Sequence, residues 1–140
     1  MSARPAGDHG MATVELVLLT PLALVVLGFL VLAGRLSTTS ADVTAASRDA
    51  ARSASLAQTY DAAVAAADAT ANASLAAQDV TCRNLHVAGS DPATFVAGGE
   101  ITITVACDVN LADVALPGIP GTRTVTSTST EVIDRFRGVG

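Results

Sequence analysis

The sequence predicts an α+β chain. A single N-terminal transmembrane helix is extended by an Ala-rich helix, and a second helix then packs on a small antiparallel sheet. Three observations predict it. Leu16 to Ala33 is a run of 18 residues without a charge. Ala41 to Ala77 holds 17 alanines in 37 residues and neither Gly nor Pro. From Glu100 to Val109 apolar and polar residues alternate, which is the period of a half-buried strand.

Composition narrows the function classes. The chain has 140 residues, with 8 Arg, no Lys, 13 acidic residues and a net charge of −5. An acidic chain without a basic patch is a poor partner for nucleic acid. Half of the residues are hydrophobic but only 3% are aromatic. Much of that half is Ala and the one apolar run, so the core left for a soluble domain is small.

The apolar run comes first in the chain. With Gly34 it makes 19 uncharged residues, about 28 Å of helix against a hydrocarbon core of about 30 Å. Residues 11–34 are therefore predicted as the membrane span, after a leader over 1–10. Pro21 is tolerated in such a helix, and is expected to kink or loosen it near Val17 by removing one backbone donor. A cleaved secretory signal, cut near Ala33–Gly34, is the rival, but its apolar core would be shorter.

A short polar leader ends at Gly10, and Glu15 stands at the membrane edge. Cleavage between Gly10 and Met11 would give Met11 a free ammonium. The Glu15 carboxylate of a neighbouring subunit would neutralise that charge and so orient the subunit, in a place where water is scarce. The same carboxylate also suits the positive end of its own helix dipole, or a position snorkelled to the interface.

Residues 35–78 read as an Ala-rich helical stalk. One helix is predicted from Met11 to about Ala57 and a second from about Tyr60 to Gln78, with Thr59 as N-cap and Asp61 in the first turn. Leu56, Tyr60, Val64 and Leu75, with Ala67 and Ala71, form a narrow seam at i+4 spacing. The seam suits this chain's own sheet or a partner subunit; the sheet needs a cover, which favours the first. Arg48 and Arg52 share a face, either as a solvated surface or as a contact for a partner or for lipid headgroups.

From 79 to 137 the chain reads as an extracytoplasmic β-rich segment. Asp79–Ala88 is the weakest strand, Glu100–Val109 the cleanest and Thr122–Val132 the third. Gly89–Pro92 and Gly98–Gly99 signal turns, and Leu116–Gly121 a loop. Cys82 and Cys107 form an even pair outside the span, as expected of a disulfide in an oxidising compartment. Closing their 25-residue separation would stabilise the fold by about 3–4 kcal/mol in the chain-entropy model.

Chemistry finds no footing in the motifs. His9 and His86 are the two histidines. There is no G-x-S-x-G elbow and no Gly-rich phosphate loop. Two cysteines so far apart, with only His86 nearby, lack the spacing of a zinc site. No catalytic residue, metal ligand or cofactor is expected, and the chain is not read as an enzyme.

The N-terminal third carries a resemblance. Ala12, Val14–Glu15, the Thr20–Pro21 step and the block Ala45-Ala46-Ser47-Arg48-Asp49-Ala50-Ala51-Arg52-Ser53-Ala54 resemble the type IV pilin-like N-terminus of the TadE-like family of the Flp/Tad pilus system. The resemblance covers about Gly10 to Leu56. Glu15 is followed by Leu16, not by the aromatic of the Flp major pilins, and the chain is longer than those pilins. The resemblance implies a membrane-anchored, pseudopilin-like assembly component without catalysis. Its implied partners are membrane lipid, other pilus-assembly or pilin-like subunits, and a prepilin peptidase.

Orientation draws on conflicting signals. Arg4 precedes the span while Arg35 and Arg48 follow it, a slight bias toward a cytoplasmic C-terminus. The cysteine pair, the Thr-rich sheet and the resemblance point to a single-pass cell-membrane protein with its N-terminus in the cytoplasm and its C-terminal part outside. The alternative function is a membrane-tethered extracytoplasmic binding or sensor module. A secreted enzyme with a cleaved signal is the third reading.

Overall fold

The computed structural model describes residues 9–114 and 120–136. Most of the leader and Leu116–Ile119 of the predicted loop lie outside the described residues. The elements run α1 His9–Ser55, α2 Tyr60–Ala77, β1 Leu85–Gly89, a 3-10 turn Pro92–Thr94, β2 Glu100–Asn110, α3 Leu111–Val114 and β3 Thr122–Val132. The chain divides into two compact units, one ending at Gly34 and one beginning at Arg35.

In the first unit α1 is helical through Pro21. Its apolar side chains are largely exposed: Val17, Leu24 and Phe29 are all more than 60% so. Exposed apolar surface of this extent, without a polar face, needs a lipid or protein environment.

The second unit has an ordinary core. The remainder of α1 buries Val43, Ala46, Ser47, Ala50, Ala51 and Ala54, the 3-4-3-4 spacing of one helix face. The Thr59 hydroxyl caps α2 by accepting from the Ala62 amide at 3.3 Å, with Asp61 in the first turn. α2 lies antiparallel to α1: Ser53 Oγ donates to the Ala66 carbonyl at 3.2 Å, and Ser74 Oγ donates to Asp49 at 3.1 Å.

The buried row of α2 is Ala63, Ala67, Ala71 and Leu75. The predicted seam is corrected in its first half. Leu56 is 74% exposed, and Tyr60 and Val64 are half-buried. Helix α1 ends at Ser55, and the four residues before Tyr60 reset the helical phase. A row counted straight through the break therefore drifts off the buried face.

The sheet has the order β1-β2-β3, all antiparallel. Ile101, Ile103, Val105, Cys107 and Val109 point to the helices and are buried, as their alternation predicts. Tyr60 reaches across to β1, where its hydroxyl donates to the Ser90 carbonyl at 2.8 Å and its ring meets Phe95 edge-on at 6.1 Å. Gly89 makes room for this, since a Cβ there would lie 2.8 Å from that hydroxyl.

The predicted strand Asp79–Ala88 shrinks to Leu85–Gly89. Two constraints from outside the segment take the preceding residues. The Val80 amide bonds to the Leu75 carbonyl at 3.0 Å and the Asp79 amide to Ala76 at 3.2 Å. This is a Schellman stop with Asp79 at the left-handed position, φ 55°. Cys82 then sits in irregular chain rather than in a strand, joined by a disulfide to buried Cys107, with Cα atoms 5.3 Å apart.

Candidate functional site

Two surfaces carry the chemistry: the exposed length of α1, and the open face of the sheet. Along α1, Glu15 is exposed. Leu19 and Leu22 follow it at i+4 and i+7, so they share its side of the helix. Gly10 and Met11 fall in the first turn of α1 as the structure places it. Leu19, Leu22, Ala23, Val26, Leu27 and Leu30 surround a shallow apolar hollow, whose floor is Ala23 because its side chain is the shortest of the six.

Further along, Arg48 and Arg52 are exposed, on the side of α1 away from its buried row. On the buried side of the same helix lies a contact that the sequence reading missed. Ser47 is fully buried. Its hydroxyl lies 2.8 Å from Ser129 Oγ, 3.1 Å from Ser127 Oγ and 2.9 Å from the Thr44 carbonyl. With a single proton, Ser47 donates to one acceptor and accepts from a neighbouring hydroxyl. The signal was present: Ser47 falls in the inward Ala row, and Ser127 and Ser129 fall on the inward phase of β3.

The open face of the sheet is lined with threonine. Thr102 pairs with Thr130 at 2.8 Å and Thr104 with Thr128 at 3.0 Å through their hydroxyls. At the same face Asp108 accepts from the Thr124 hydroxyl and from the Asn84 amide. Those two hydrogen bonds, Thr124 first, hold its carboxyl below its ordinary value. These four threonines pair with one another across β2 and β3, so this part of the face is a polar surface of paired hydroxyls.

His86 stands exposed on this face beside Ala106 in the register. Among the described residues no three His, Cys, Asp or Glu side chains gather as a metal site. A groove lined in part by Arg35, Asp42, Asp79, Val80 and Val109 mixes charged and apolar groups near the start of the second unit.

One N-terminal helix is thus long and apolar enough to cross a membrane, with a mean hydropathy of 2.6 in its most apolar window. Comparison with known proteins bears on this same stretch. The family model described as TadE-like protein matches residues 10–52, the residues on which the resemblance rests. No curated protein and no solved structure matches the chain.

Proposed function

We propose that the chain is a membrane-anchored, pseudopilin-like (TadE-like) component of Flp/Tad pilus assembly, acting structurally through helix packing. One observation carries this reading. The TadE-like match over residues 10–52 spans the uncharged run Leu16–Ala33, the carboxylate Glu15 just before it and the block containing Arg48 and Arg52.

In this reading residues 11–34 anchor the chain in lipid, with the N-terminus cytoplasmic. A prepilin peptidase cuts between Gly10 and Met11. Glu15 pairs with the new ammonium of a neighbouring subunit, because a carboxylate at the bilayer edge is costly unless neutralised. Arg48 and Arg52 contact partner subunits. The disulfide-bonded second unit lies outside the cytoplasm, where such a bond persists.

The intact mass of membrane-extracted protein, reduced and non-reduced, tests the processing and the orientation. Loss of residues 1–10 and a two-hydrogen gain on reduction are expected. An unchanged mass on reduction would count against the outside placement. Glu15→Gln tests the role: pilus assembly should fail at normal protein level. Intact assembly would leave a tethered binding or sensor module as the better account.

A further inference from the structure

The groove near the start of the second unit has its charges in a definite order. One wall is a single face of α1, with Arg35, Thr39 and Asp42 at i, i+4 and i+7. Arg35 and Asp42 therefore share a side of the helix to within about 20° and stand about 10 Å apart along its axis. The opposite wall is the stop of α2, with Asp79 at its left-handed residue, and the end of β2 at Val109. The groove has a volume of about 280 Å³, space for about nine waters.

Several of its uncharged polar groups are already engaged within the fold. The Thr39 hydroxyl donates to the Arg35 carbonyl at 3.2 Å, and Gln78 Nε2 donates to the Ser74 carbonyl at 3.0 Å. Asn110 Oδ1 accepts from the Ala112 amide at 3.2 Å. The charged groups thus set what the groove can bind: a guanidinium at one end, and the carboxylates of Asp42 and Asp79. Helix α2 also ends here, and its last carbonyls add partial negative charge.

Arg35 is the first charged residue after the uncharged run Leu16–Ala33. In the membrane-anchored reading it stands where the lipid phosphates begin, and Asp42 stands about 10 Å farther along the helix. A cation first and a carboxylate beyond it complement a headgroup whose phosphate precedes an ammonium. We propose that the groove binds the headgroup of one phosphatidylethanolamine. Arg35 takes the phosphate, and Asp42 and Asp79 take the primary ammonium. Three N–H donors on that ammonium suit two carboxylates and the carbonyls of a helix end. Phosphatidylglycerol brings the phosphate alone and leaves both carboxylates unpaired. Phosphatidylcholine brings a cation with no N–H to donate. The inference rests on the membrane-anchored reading and goes beyond it: an apolar span accepts any bilayer, whereas this groove selects a headgroup.

The test uses the full chain in detergent micelles, titrated with phosphatidylethanolamine, phosphatidylcholine or phosphatidylglycerol of the same acyl chains. Native mass spectrometry counts the bound lipid. One phosphatidylethanolamine per chain is expected before either of the others binds. Equal binding of the three, or a preference for phosphatidylglycerol, overturns the proposal. So does equally tight binding of glycerophosphoethanolamine, which has the headgroup without acyl chains and would mark a site for a soluble ligand. Asp42→Asn should lower the preference over phosphatidylglycerol about threefold to fivefold, the range of one exposed ion pair. Asp79→Asn, which keeps a residue tolerant of positive φ, should do the same, and Arg35→Gln should weaken both lipids. Asp61→Asn, exposed and outside the groove, should change nothing; an effect equal to that of Asp42→Asn would also overturn the proposal. No headgroup preference, with assembly still lost in Glu15→Gln, would remove this site and keep the proposed function. A preference lost in Asp42→Asn, with assembly intact in Glu15→Gln, would do the reverse.

Discussion

Ser47→Ala is expected to destabilise the second unit, although it puts the best helix former into a helix. The buried Ser47 hydroxyl ties α1 to Ser127 and Ser129 of β3. Removing it leaves two serine hydroxyls facing a methyl group. An unsatisfied buried group costs about 1–3 kcal/mol. Both partners are half-buried and regain some water, which places the cost near the lower end. The gain in helix propensity offsets about 0.5 kcal/mol. The net loss is about 0.5–1 kcal/mol.

Urea unfolding of the full chain in detergent micelles reads this through Tyr60, the only Tyr in a chain without Trp. Two controls sharpen the result. Ser40→Ala, at an exposed position of the same helix, should show only the propensity gain. The triple change Ser47→Ala, Ser127→Ala and Ser129→Ala leaves no stranded hydroxyl and should recover most of the loss. The reasoning is refuted if Ser47→Ala behaves like Ser40→Ala, or if the triple variant is worse than the single one.

Asp79→Gly should stabilise the fold by about 0.5–1 kcal/mol, because Gly holds a positive φ without steric cost; a lower urea midpoint would contradict the assignment of strain to that residue. The folded-state pKa of Asp108 is depressed, so its contribution is present above the unfolded carboxylate value and is lost as pH falls through the lowered folded value. The urea midpoint measured against pH should therefore fall less steeply on the acid side in Asp108→Asn, and an identical acid limb would show that Thr124 and Asn84 do not favour the ionised form.

The Asp79 stop also shows where local reading fails. Asp79–Asn84 has the residue types of a weak strand, but the helix stop and the disulfide at Cys82 hold it in another path. Both depend on groups outside the segment: the carbonyls of α2, and Cys107 on β2. The seam erred for a related reason, since four residues between helices reset a phase that sequence counting carries through unchanged.

Short-range periodicity by itself determined a good deal of this protein. The uncharged run determined a helix able to span a membrane, strict alternation determined the buried face of β2, and a run rich in β-branched residues determined the extent of β3. Ala density determined two helices, with Thr59 starting the second. These features are set by neighbours one to four residues apart, which is the range that a helix or strand pattern records. Only the tertiary structure decided that Ala63 rather than Tyr60 enters the core, that Ser47 meets Ser127 and Ser129 eighty residues away, and that Gly89 yields its space to Tyr60. Those contacts depend on how separate elements meet, and the pairing of distant elements leaves no period in the chain.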